Sequence, residues 1–146
     1  MQVPLQVLVV DDNVDGAEAI AALFELEGHA TEVVHNGMLV IAAARRSLPN
    51  LILMDLGLPG LDGFAVATQI RLEPLLSGTL LVALTGWGRD ADKKAAMDAG
   101  FDLHLLKPIS MDELRELIAR ASQQRRSALR GGLSRNCRLV ARMRHH

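Results

Sequence analysis

Four short apolar runs punctuate the chain: VLVV (Val7–Val10), LILM (Leu51–Met54), LLVAL (Leu80–Leu84) and LHLL (Leu103–Leu106). Each is too short for a typical helix, and turn or polar residues follow closely. Continuous rather than alternating apolarity is what parallel strands covered on both faces require. A fifth segment, ATEVV (Ala30–Val34), mixes polar and apolar residues and suits an edge strand.

Helical periodicity fills the intervals. Ala17, Ile20, Ala21 and Phe24 recur at three- and four-residue spacing, and Gly28 supplies a stop. A second helix is predicted over roughly Gly37–Ser47, ending before Pro49; a third over Gly63–Leu72; a fourth over Arg89–Ala99, before Gly100. The last opens on SMDE, where Ser110 and Glu113 form a capping box, and Leu114, Leu117, Ile118 and Ala121 make its buried stripe.

Strand–helix alternation repeated five times predicts an α/β fold, a doubly wound five-stranded parallel sheet with helices on both faces. Right-handed crossovers then bring the C-terminal ends of all strands to one edge. Ligands of such sheets bind at that edge, where the strand order reverses.

The bulk properties narrow the setting. At 146 residues the chain suits one domain with a real core. No apolar run approaches the ~20 residues that span a bilayer, and the start lacks a secretory pattern. Cys137 is the only cysteine, which excludes an internal disulfide and a cysteine-based zinc site. A cytoplasmic protein is expected.

The net charge of −1 hides a division: all 17 acidic residues precede Arg120, against eight Lys and Arg, whereas residues 120–146 hold eight arginines and no acid. An acidic folded body over 1–121, with its last helix continuing towards about 130, is expected to carry a basic, Arg-rich extension over 122–146. That extension is short for a helix-turn-helix output domain and has no aromatic residue for base stacking, so direct DNA binding is not expected. Its arginines suit nucleic acid, an anionic membrane, an acidic partner or the domain's own acidic face, an unstructured tail without a binding role is an equal reading, and the pattern does not choose among them.

The polar residues at the strand ends carry the candidate chemistry. Asp11 and Asp12 follow the first strand, Asp55 ends the third, Thr85 ends the fourth, and Lys107–Pro108 ends the fifth. In the 2-1-3-4-5 order, one of the common orders of such sheets, the first and third strands are neighbours, and the three carboxylates would converge. Taken singly, each element has a plainer reading. The Asp pair is a helix N-cap with a solvated neighbour, with Asn13 or Asp15 also able to cap; Thr85-Gly86 is a turn; Lys-Pro is a strand exit. Their joint placement on adjacent strand ends favours a site.

The segments VLVVDDN, HNG, LPNLILMDLGLPGLDG, ALTGWG, AGFDLHLLKP and SMDEL together resemble the response-regulator receiver domain of two-component signalling, over about Leu5 to Ala121. ALTGWG with AGFDLHLLKP looks most like receivers attached to hybrid sensor kinases. The resemblance implies the flavodoxin-like receiver fold, with Asp55 as phosphoacceptor from a phosphohistidine. It makes Asp11, Asp12, Asp55 and the Gly57 carbonyl ligands of Mg²⁺ (or Mn²⁺), and Thr85 and Lys107 the partners of the phosphoryl group. It also implies a cis Lys107–Pro108 bond. The residue types suit these roles: carboxylates about 4 Å apart repel by roughly 1–4 kcal/mol, and a hard cation bound by oxygens removes that repulsion. Phosphoryl transfer then depends on positioning and on neutralised charge.

The resemblance further implies a switch through Thr85 and an aromatic position on the fifth strand, here His104, where Tyr or Phe is usual. Gly57 and Trp87 occupy the two positions that tune phosphoryl lifetime. His29 and His35 lie without ligand spacing and are assigned no site. The implied partners are a histidine kinase or histidine phosphotransfer protein and an unspecified downstream protein, with a homodimer left open. The implied role is signalling rather than enzymatic, beyond self-phosphorylation from small donors and self-dephosphorylation. Two rivals are a binding module that keeps the fold without phosphorylation and an Asp-based Mg²⁺-dependent phosphatase. The latter would place a D-x-D run after the first strand, a spacing that DDNVD lacks.

Overall fold

The computed structural model describes residues 4–57, 62–86 and 90–130. Five strands, β1 (Gln6–Val10), β2 (Ala30–Val34), β3 (Leu51–Asp55), β4 (Leu80–Thr85) and β5 (Leu103–Leu106), alternate with five helices. These are α1 (Val14–Leu26), α2 (Val40–Ser47), α3 (Gly63–Leu72), α4 (Asp90–Ala99) and α5 (Met111–Arg130). The strands form one parallel sheet in the order β2-β1-β3-β4-β5.

The continuous apolar runs are explained by two cores, one on each side of the sheet. Val7, Val9, Leu51, Leu53, Val82 and Leu84 pack against Ala17 and Phe24 of α1 and Leu114, Leu117 and Ile118 of α5. The alternate residues, among them Leu8, Val10, Ile52, Met54, Leu81 and Ala83, pack against α2, α3 and α4. Every residue of β3 and β4 is buried, and each large apolar side chain so buried stabilises the fold by about 1.5–3 kcal/mol. At the edge, β2 is only partly buried, which accounts for its mixed sequence.

Local signals set the helix ends. Asn13 caps α1, its side chain accepting from Gly16 N at 3.0 Å. Asp62 caps α3 through Phe64 N at 3.0 Å. Ser110 and Glu113 exchange the two bonds of a capping box, each at 3.1 Å. The helix predicted over Gly37–Ser47 is in fact two pieces. Asn36 accepts from Met38 N, closing a 3-10 turn at Gly37–Leu39 before α2 begins at Val40. A side-chain-to-backbone bond beside a glycine competes with the α-helical start. At its far end α2 stops at Leu48, whose φ of 46° is left-handed, because Pro49 disfavours a helical residue before it.

Opposite the site-bearing edge, Arg71 of α3 ties three segments together. Its guanidinium donates to the carbonyls of Gly100 (2.7 Å) and Thr79 (3.0 Å) and to Asp102 Oδ2 (2.5 Å). Gly100 has φ +117°, and a Cβ there would lie 2.7 Å from Arg71 Cγ, so glycine is required twice over. Among the described residues no helix is long and apolar enough to cross a membrane.

Candidate functional site: an acidic cluster at the strand ends

The register of the sheet assembles the site. Val10 pairs with Met54, so Asp11 and Asp55 emerge side by side where the strand order reverses. Both are buried, while Asp12 is exposed. One carboxylate oxygen from each of Asp11, Asp12 and Asp55 lies within 4.8 Å of the others.

Lys107 reaches this cluster from the far side of β4. Its Nζ is 2.8 Å from Asp11 Oδ2 and 3.0 Å from Asp55 Oδ2. Its own N–H donates to the carbonyl of Thr85 at 2.9 Å, which fixes the two strand ends against each other. The peptide bond from Lys107 to Pro108 is cis, as the resemblance implied. Thr85 is buried at the end of β4. Asp55 Oδ1 accepts from Gly57 N at 2.8 Å, and Asp11 Oδ1 from Asn13 N at 3.0 Å. A Cβ on Gly57 would stand 3.3 Å from Asp55 Oδ1, so this glycine lets the backbone fold tightly onto the carboxylate.

A model of the response regulator receiver domain matches residues 7–119. The chain belongs to that family. It is 32% identical over 114 residues to an uncharacterised 14.6 kDa protein of Leptolyngbya boryana, covering 78% of this chain and 87% of that one. It is 34% identical over 109 residues to the DNA-binding response regulator MtrA of Mycobacterium leprae, covering 75% of this chain but only 47% of MtrA. Among solved structures, the receiver domain of the sensor histidine kinase PA1611 of Pseudomonas aeruginosa superposes with a TM-score of 0.74 at 28% identity, covering 83% and 99% of the two chains. That receiver holds a magnesium ion coordinated in its active-site cleft.

In the present receiver the donor set suits such an ion: three carboxylates converge, all hard oxygen donors, with no sulfur or imidazole among them. Electrostatics bind the cluster to Lys107. Burial acts to raise the Asp11 carboxyl, but the hydrogen bond and charge of Lys107 and the N–H of Asn13 outweigh it and hold Asp11 below its ordinary value. Burial acts to lower the Lys107 ammonium, and the hydrogen bonds and charges of Asp11 and Asp55 instead raise it. Asp11 and Lys107 are therefore both charged across the neutral range.

His104 lies on β5 in register with Ala83 of β4, two residues before Thr85. Its Nε2 is buried and without a hydrogen-bond partner among the described residues. Trp87 lies outside the described residues, as do Cys137 and the arginines beyond Arg130. His35, which sequence reasoning left without a role, contacts the site: its Nδ1 is 2.9 Å from the main-chain carbonyl of Asp11. No spacing motif announces a bond to a backbone atom on a neighbouring strand. His29 is a structural histidine, buried at 4% exposure, with Nδ1 accepting from Leu5 N at 2.9 Å.

Proposed function

We propose that this receiver accepts a phosphoryl group on Asp55 from the phosphohistidine of a histidine kinase or phosphotransfer protein. The observation that carries the reading is the Lys107 ammonium set between Asp11 and Asp55. A carboxylate oxygen of Asp55 attacks phosphorus, an O–P bond forms as the N–P bond of the donor breaks, and the histidine, protonated on its other ring nitrogen, keeps the electron pair and leaves as neutral imidazole. Lys107 carries positive charge to the phosphoryl oxygens, and the Thr85 hydroxyl hydrogen-bonds one of them. The Gly57 N–H already orients Asp55. Asp11, Asp12, Asp55 and the Gly57 carbonyl would hold Mg²⁺ or Mn²⁺. Such an ion, when bound, offsets the negative charge of carboxylates and phosphate.

The phosphorylated domain acts as a signal rather than as a turnover enzyme. It works in the cytoplasm, passing its state to a protein partner through Thr85 and His104, alone or as a homodimer. The receiver body spans residues 1–121 with its last helix continuing to about 130, and the basic segment beyond it serves as an appendage to that body. The chain spans less than half of the length of MtrA.

Intact-mass measurement after treatment with acetyl phosphate and Mg²⁺ tests the proposal. One added phosphoryl mass is expected on the wild type and none on Asp55→Asn. Absence of label on the wild type, or equal label on both, would sink it.

A further inference from the structure

Asp11 is held at four atoms. Its N–H donates to the Val34 carbonyl at 3.1 Å, Oδ1 accepts from Asn13 N, and Oδ2 accepts from Lys107. The fourth contact is the 2.9 Å approach of His35 Nδ1 to the Asp11 carbonyl. A carbonyl oxygen only accepts, so Nδ1 carries the hydrogen, and in the neutral ring Nε2 then keeps the lone pair. That carbonyl belongs to the peptide group joining Asp11 to Asp12. Because the peptide is planar, fixing its oxygen fixes the direction in which the chain enters Asp12. The Asp12 side chain is exposed, so backbone direction rather than packing aims its carboxylate.

We infer that His35 is a positioning residue of the acidic site. By donating Nδ1–H to the Asp11 carbonyl it orients the 11–12 peptide and keeps Asp12 within reach of Asp11 and Asp55. The inference rests on the reading that these carboxylates bind a divalent cation. His35 is not itself a ligand: the oxygens that converge are those of Asp11, Asp12 and Asp55. The link is a second-layer contact, one bond removed from the ligand set, and partners of that kind tune metal affinity.

The test compares the full chain with His35→Ala, His35→Asn and His35→Gln. An Asn amide nitrogen sits where Nδ1 sits, whereas a Gln amide nitrogen sits where Nε2 sits. Calorimetric Mg²⁺ titration is expected to show about tenfold weaker binding in His35→Ala and His35→Gln, with His35→Asn within about threefold of wild type. Thermal melts in chelator, expected to be cooperative for all four proteins, show that each variant folds. Nitrogen-15 NMR of the metal-free wild type at alkaline pH is expected to show the Nδ1–H tautomer of His35.

An Nε2–H tautomer would overturn the inference without reference to metal. So would wild-type affinity in all three variants, or equal weakening in all three, which would mark a general loosening. A wild type that binds no Mg²⁺ would overturn the inference together with the metal reading beneath it, whereas equal affinities would remove the inference alone.

Discussion

Lys107 at the end of β5 and Asp55 at the end of β3 meet at 3.0 Å across the intervening strand β4. The same ammonium bonds Asp11 on β1, so one cation holds together carboxylates from two neighbouring strands. Removing it leaves those carboxylates facing each other with no counter-charge among the described residues.

Lys107→Met is therefore expected to lower the stability of the metal-free protein. The pair is partly exposed, with 31% of the lysine side chain accessible, so the cost is about 1–2 kcal/mol rather than that of a fully buried pair. Added Mg²⁺ should recover more stability in the variant than in the wild type. Urea unfolding in chelator and in Mg²⁺ measures both, and a variant as stable as the wild type in chelator contradicts the prediction.

The same pair sets a pH dependence with two signs. Asp11 is lowered by folding, so its contribution is present above the unfolded carboxylate value of about 3.9 and is lost as pH falls through the folded value. Lys107 is raised, so its contribution is present below the unfolded value of about 10.4 and is lost as pH rises through the folded one. Asp11→Asn should flatten both limbs in metal-free unfolding titrations. Slopes identical to wild type would argue that the pair does not stabilise the fold.

His29 gives a third pH effect, far from the acidic site. Burial lowers its value, with Glu27 acting weakly in the opposite direction, and a proton on Nδ1 would confront the N–H of Leu5. Below about 6.5 the unfolded chain binds more protons than the folded one, so stability should fall as pH falls through that value. His29→Asn should lose this slope while unfolding as cooperatively as wild type. Persistence of the slope in the variant would assign it elsewhere.

Arg71→Ala is expected to destabilise the protein by about 2–3 kcal/mol, because it frees two carbonyls and leaves Asp102 without its charged partner. Arg71→Lys should recover only part of this, since one ammonium cannot serve three directed acceptors. Denaturant midpoints decide it; full recovery by lysine would mean that charge alone matters.

The alternation of strands and helices, the buried faces of α1 and α5, and the identity of the acids, threonine and lysine at the strand ends were all determined by the sequence by itself. These are local properties: apolar period, caps such as Asn13 and Ser110, and stops such as Gly28 depend on residues within a turn or two. The two-piece start of α2 was less legible, because the Asn36 side-chain bond and the helical period compete within the same few residues. Only the tertiary structure decided that Lys107 lies between Asp11 and Asp55, since that depends on register across three strands. It alone revealed Arg71 gripping Gly100 and Thr79, and His35 touching Asp11. In each of those contacts the acceptor is a main-chain carbonyl, which every residue possesses, so no side-chain pattern can mark which one will be used.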